Sequence, residues 1–227
     1  MRKYYFNENY FETIDTEEKA YWLGFIAADG SINKSSKYNS FRLVISLSII
    51  DIKHLEKFLH AINGENIPIM TIVNRSGFSN DNGTVCCRIT INSYKLCSDL
   101  MKYNIHQNKS YDIDIPEIEN KLIKHYLRGF VDGDGSFHYH YDQKNNRYRY
   151  SFEIVGASMC FMKNAQEFLF QNNINVYIYV RKSNKSIRLM SGSRKTICDI
   201  IHFLYDNSII YLDRKYQYTQ ELLKIAA

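Results

Sequence analysis

Asp29 and Asp134 stand in nearly the same local sequence. Residues 20–32 read AYWLGFIAADGSI and residues 125–137 read HYLRGFVDGDGSF, so each aspartate follows a Gly-Phe-aliphatic stretch and precedes Gly-Ser. One Asp-Gly is an ordinary helix-ending turn. Written twice in one chain, the pair points to shared chemistry. Two carboxylates brought together repel, and each also lies at the negative end of its own helix dipole. A divalent cation resolves the conflict: magnesium takes carboxylate, carbonyl and water oxygens and keeps positions that phosphate oxygens can fill. On this reading Asp29 and Asp134 are catalytic metal ligands, the backbone carbonyls of Ala28 and Gly133 can add to the coordination, and Mn2+ is expected to substitute for Mg2+.

A second matched feature is cationic. Lys109, in QNKSY, and Lys215, in DRKYQ, follow the last helix of their respective halves at nearly equal distances from Asp29 and Asp134. A cation near a phosphoryl centre stabilises developing negative charge or orients the attacking water.

The elements that must carry these residues are repeated as well. FRLVISLSIIDIKHLEKFL (41–59) corresponds to SFEIVGASMCFMKNAQEFL (151–169), each an alternating strand followed by a helix, and YKLCSDLMKY (94–103) corresponds to KTICDIIHFL (195–204), with Cys97 opposite Cys198. The pattern predicts an α+β fold of two pseudo-symmetric αββαββα repeats, residues 1–110 and 111–227, with the boundary around Ile105 to Pro116. Asp15 with Glu18 offers a capping box for the first motif helix, and Pro116 a first-turn proline for the second. Phe137, Tyr139 and Tyr141 alternate with His138, His140 and Asp142 at strand period, Gln143 to Asn146 make a turn, and Arg147 and Arg149 alternate with Tyr148 and Tyr150 on the return. Gly24 with Ala28, and Gly129 with Gly133, form small-residue stripes that allow two helix backbones to approach closely.

Composition narrows the function classes without choosing among them. The 227 residues are 45% hydrophobic with two prolines and ten glycines, which excludes a disordered or collagen-like chain. No apolar run is long enough for a bilayer, and the N-terminus shows no signal-peptide pattern, so a cytoplasmic protein of bacterial or phage origin, or an organelle-matrix one, is expected rather than a secreted one. The five cysteines lack zinc-site spacing. A net charge of +5 suits a polyanionic partner, although many proteins without one are as basic.

WLGFIAADG (22–30) and LRGFVDGDG (127–135) resemble the paired motifs of the LAGLIDADG homing endonucleases in their single-chain, two-motif form. The glycine, the apolar pair, the penultimate aspartate and the final glycine are kept. The sixth position, acidic in that family, is Ala27 in the first copy and Asp132 in the second. The resemblance spans roughly Thr16 to Tyr218, and NKSYDIDIP and YLDRKY are similar to the family's lysine-bearing segments. It implies antiparallel, saddle-shaped sheets astride DNA, with the motif helices packed at the centre. It further implies metal-dependent hydrolysis of one phosphodiester on each strand, giving a staggered double-strand break as in intron homing. The metal-binding role then falls on Asp29 and Asp134, and the basic role on Lys109 and Lys215. The implied partner is double-stranded DNA with a long target site, bound by a monomer; an RNA-splicing maturase acting on intron RNA, or a non-cleaving nucleic-acid binder, is the alternative on the same scaffold. Strand parity assigns the DNA face to Asn33, Ser35, Lys37 and Arg42 in the first half and His138, His140, Lys144, Arg147 and Arg149 in the second, with Arg88, Arg181 and Arg188 as weaker candidates.

Overall fold

A computed structural model of the chain describes residues 4–34, 40–74, 84–107, 109–181 and 186–227. The element order is α1 (Glu17–Asp29), β1 (Gly30–Lys34), β2 (Phe41–Ser48), α2 (Ile52–Ala61), β3 (Met70–Asn74), β4 (Thr84–Asn92) and α3 (Tyr94–Lys102). It repeats as α4 (Asn120–Asp134), β5 (Gly135–Asp142), β6 (Arg147–Gly156), α5 (Met159–Gln171), β7 (Tyr177–Val180), β8 (Ile187–Ser191) and α6 (Arg194–Tyr205). A further helix, α7 (Asp213–Ala226), closes the described chain. The fold is α+β, with two four-stranded antiparallel sheets in the matching orders β1-β2-β4-β3 and β5-β6-β8-β7. Among the described residues no helix is long and apolar enough to cross a membrane.

Packing divides the chain into two compact units, Met1–Ile14 with Asp29–Gln107, and Asp15–Ala28 with Asn108–Ala227. The repeat divides sequence order and the units divide packing, so the motif helix of the first repeat lies, up to Ala28, in the unit built mainly from the second. In the first unit Leu43, Ile45 and Leu47 of β2 and Cys87, Ile89 and Ile91 of β4 form the buried face of the sheet. Leu55, Phe58 and Leu59 of α2 and Leu96, Cys97 and Leu100 of α3 cover it. In the second unit Phe152 and Ile154 of β6 and Leu189 of β8 meet α5 and α6 through Phe161, Ala165, Ile197 and Ile201. Burial of each of the Leu, Ile and Phe side chains contributes about 1.5–3 kcal/mol, the main term that holds the layers together.

The helix starts differ from the sequence expectation. Thr16, not Asp15, caps α1: its hydroxyl accepts from the Lys19 amide at 3.2 Å and its carbonyl from the Ala20 amide at 3.1 Å. Asp15 pairs instead with the Lys19 ammonium at 2.8 Å. Helix α4 begins at Asn120, and Pro116 belongs to the preceding segment, where its carbonyl accepts from the Ile118 amide at 2.9 Å. Serines cap α3, α5 and α6, each hydroxyl accepting an amide of the first turn: Ser93 from Leu96, Ser158 from Phe161 and Ser193 from Thr196. The turn at residues 143–146 lies where expected, with Asn146 at a positive φ of 49° and the Asn145 amide bonded to the Asp142 carbonyl at 3.2 Å. All five cysteines are free thiols.

Candidate active site

The two motif helices touch through their glycines. A Cβ built on Gly24 would stand 1.9 Å from the Tyr126 carbonyl oxygen and 3.1 Å from the Phe130 nitrogen. Reciprocally, a Cβ on Gly129 would stand 2.0 Å from the Tyr21 carbonyl oxygen and 2.8 Å from the Phe25 nitrogen. Tyr21 and Tyr126 precede their glycines at the same spacing, so the contact repeats the symmetry of the motifs. Only a residue without Cβ permits this approach, which is the physical use of a glycine that otherwise weakens a helix by about 1 kcal/mol.

Both aspartates end their helices. Asp29 is the last residue of α1 and half-buried; Asp134 is the last residue of α4 and exposed. Each helix runs directly into a strand whose first residue is glycine. Gly135 is extended, with φ −81° and ψ 161°, and serves space rather than a left-handed conformation, because a Cβ there would stand 2.8 Å from the Val131 carbonyl oxygen. Asp134 and Ala28 line one recess of about 120 Å³ together with Ser110, Phe130 and Ser158.

Two lysines act on Asp134. Although the carboxyl has accessible surface, dense protein around it desolvates the charge and raises its pKa, against the lowering effect of Lys109 and Lys215. Lys109 is buried in a 3-10 turn, Lys109–Tyr111. Lys215, in the first turn of α7, donates to the carbonyls of Val131 at 2.9 Å, Gly133 at 3.1 Å and Gly135 at 2.6 Å. Those carbonyls belong to the C-terminal end of α4, where orphan acceptors and the negative dipole both call for a cation. All three protons of the ammonium are thereby engaged, so Lys215 is a fixed positive charge beside Asp134. The Gly133 carbonyl, a candidate metal ligand in the sequence, already accepts one of these bonds and has a second lone pair left.

The sequence expectation assigned no role to the charges inside the second motif. Asp132 is fully buried and accepts from the Tyr21 hydroxyl, the Tyr205 hydroxyl and the Leu212 amide, each at 2.7 Å. Burial pushes its pKa up, and the bonds from Tyr205, Leu212 and Tyr21 oppose that. Arg128, one helical turn earlier and equally buried, donates to the carbonyls of Ile210 at 2.9 Å and Leu204 at 3.1 Å and to Glu17 at 2.7 Å. Its Nη1 also meets Nδ1 of His125 at 2.8 Å; burial and the Arg128 charge push the His125 pKa down to about 4, so this nitrogen is an unprotonated acceptor. The signal for these residues was an Arg and an Asp at one-turn spacing within the otherwise uncharged stretch Tyr126–Gly133.

The remaining candidates lie on the sheets. Asn33, Arg42 and Arg88 share the open face of the first sheet, with Asn33 opposite Arg42 and the Arg88 Nε bonded to the Ser46 hydroxyl at 2.7 Å. Ser35 and Lys37 lie outside the described residues. His138, His140, Arg147 and Arg149 share the open face of the β5–β6 hairpin, and Lys144 is exposed in its turn. Arg149 pairs with Asp142 at 3.0 Å and Arg188 with Glu153 at 3.0 Å, so those two charges are neutralised within the sheet. Arg181 is exposed at the end of β7.

The donor set suits a hard cation. The oxygens in the recess are carboxylate, hydroxyl and carbonyl, and among the described residues no cluster of three or more His, Cys, Asp or Glu side chains offers a site of the zinc type.

No protein-family profile and no curated protein sequence matches this chain. Solved structures do match. I-SmaMI bound to an uncleaved DNA target in the presence of calcium ions is 20% identical with a TM-score of 0.60, covering 94% of this chain and 91% of that one. The LAGLIDADG homing endonuclease I-GzeII in complex with a DNA target is 16% identical with a TM-score of 0.59, over 91% of this chain and 89% of that one. The I-SmaMI LAGLIDADG homing endonuclease bound to cleaved DNA is 18% identical with a TM-score of 0.59, over 94% and 89%. The chain therefore has the LAGLIDADG homing endonuclease fold, with both motifs in one polypeptide.

Proposed function

We propose that this chain is a site-specific DNA endonuclease of the homing type, which hydrolyses one phosphodiester on each strand with the aid of Mg2+. The observation that carries the proposal is the repeated aspartate at the end of two glycine-packed helices, with Lys109 and Lys215 both acting on Asp134. The solved neighbours, which are DNA-bound endonucleases with calcium in one case, support the same reading.

When bound, the divalent cation would polarise the phosphate and lower the pKa of water at the site. Asp134 and its repeat counterpart Asp29 would hold it, with help from the carbonyls of Ala28 and Gly133. Lys215, its protons given to backbone carbonyls, contributes a positive charge of fixed position; charge building on the phosphoryl oxygens is stabilised without any rearrangement at the moment of reaction. Lys109 supplies the matching charge in the other repeat. The open sheet faces, through Asn33, Arg42 and Arg88 and through His138, His140 and Arg147, would grip the duplex by phosphate and base-edge contacts. One chain carries both motifs, so a monomer suffices.

The test is selection of cut ends from a randomised duplex library in Mg2+. Wild-type protein should yield a recurrent double-strand cut, and Asp29→Asn or Asp134→Asn should remove cleavage while retaining binding to the selected duplex. Undiminished cleavage by both variants would discard the assignment of these carboxylates.

A further inference from the structure

Both buried charges of the second motif, Arg128 and Asp132, bond to one short segment. The chain from Leu204 to Leu212 leaves α6, turns through Asn207 at a positive φ of 58° and enters α7 just ahead of Lys215. Arg128 holds both ends of the turn through the carbonyls of Leu204 and Ile210. Glu17 accepts the Ile209 amide at 3.0 Å while pairing with Arg128. Asp132 accepts the amide of Leu212, the residue that precedes α7, and the hydroxyl of Tyr205, the last residue of α6. Tyr211 then stacks on Tyr216 with ring centroids 4.0 Å apart. Downstream, the Lys215 ammonium reaches the carbonyls of Val131 and Gly133 on the helix that carries Arg128 and Asp132, and of Gly135 just after it.

We infer that Asp132, with Arg128, is a positioning residue for Lys215: it ties the start of α7 to α4 so that the lysine charge is held beside Asp134. The inference rests on the proposed nuclease reading only for the use made of that charge. The geometry explains why a carboxylate is kept at a fully buried position where Leu or Ala would cost less. An acceptor there takes three donors that would otherwise be orphaned, one of them a backbone amide at a helix start. The first motif has Leu23 and Ala27 at the corresponding positions and cannot build the same clamp, so the device serves the Lys215 side alone.

The experiment uses full-length protein and reads hydrogen exchange by NMR at two probes, the Leu212 amide and the Lys215 ammonium, in Asp132→Asn and in the milder Tyr205→Phe. Tyr205→Phe removes a single hydroxyl and keeps the ring, so it provides the measurement if Asp132→Asn does not fold. Exchange at both probes should accelerate about tenfold or more in Asp132→Asn, the scale set by loss of a charge-assisted hydrogen bond, and by a smaller but measurable factor in Tyr205→Phe, which loosens the carboxylate while leaving its bond to the Leu212 amide. Retained protection at either probe overturns the inference, since the carboxylate would then not hold the segment, or the segment would not hold the lysine. Cleavage is a separate readout: on the duplex selected above, the variants should lose kcat with KM unchanged. If the wild type cuts no DNA the nuclease reading fails, whereas the exchange result still decides the clamp.

Discussion

Replacing Gly129 by Ala inserts one methyl group where no side chain can yield. The new Cβ would lie 2.0 Å from the Tyr21 carbonyl oxygen and 2.8 Å from the Phe25 nitrogen, both backbone atoms of α1. The helices must separate locally by about 1–1.5 Å to restore ordinary contact. Alanine gains about 1 kcal/mol from helix propensity. Overpacking costs about 3 kcal/mol here, the upper end of its usual range, because the obstruction is main chain rather than a movable rotamer. The net loss is about 2 kcal/mol, or roughly 4–8 °C in Tm for a chain of this size. Gly24→Ala should behave alike, its Cβ meeting the Tyr126 carbonyl oxygen at 1.9 Å. The double substitution should cost less than the sum, since the first methyl already opens the gap. Gly192→Ala is the control: its nearest neighbour is the Tyr150 carbonyl oxygen at 3.8 Å, and its melting point should stay within about 0.5 kcal/mol equivalent of wild type. Thermal unfolding followed by circular dichroism measures all four. If Gly24→Ala and Gly129→Ala melt at or above the wild-type temperature, the close glycine contact does not exist in solution. Cleavage should suffer as well, because Asp134 rides on the same helix and a misplacement of ~1 Å can cost on the order of a hundredfold in rate.

Other outcomes follow from the charges. Lys215→Met removes a group that lowers the Asp134 pKa, so the acid limb of the cleavage rate against pH should move upward relative to wild type at the same Mg2+ concentration; an unmoved limb would dissociate Lys215 from the carboxylate. Asp134→Asn should raise Tm in metal-free buffer at neutral pH. The raised pKa means that ionising Asp134 costs the folded state stability, and the advantage of Asn should shrink as pH falls through that pKa and the wild-type carboxyl protonates. His125 has the opposite sign: its folded pKa is depressed to about 4, so the unfolded chain takes the proton first and stability should fall as pH drops from the ordinary histidine range towards 4. Urea titrations of His125→Gln should show a shallower decline over that window, and an identical slope would remove His125 from the Arg128 cluster.

The order of elements, the strand parity of the β5–β6 hairpin, its turn at residues 143–146 and the doubled glycine-aspartate motif could be read from the residues alone. Each is encoded locally, by a period of two or 3.6, by turn chemistry, or by repetition within one chain. What depends on neighbours distant in sequence could not. Thr16 outcompetes Asp15 as the cap of α1 because Asp15 finds an ammonium one turn on, and Pro116 falls outside α4 although its residue type would suit a first turn. Asp132 looks like a second acid of a motif, yet the folded chain surrounds it with two tyrosines and an amide and makes it a tether. Lys215 stands out in the sequence as a cation matched to Lys109, but its partners do not: only the fold brings α7 against the carbonyls of Val131 and Gly133 in α4 and of Gly135 at the start of β5. A residue type states what a side chain can donate, accept or neutralise. Which partner it meets is decided only when segments far apart in the chain are packed together.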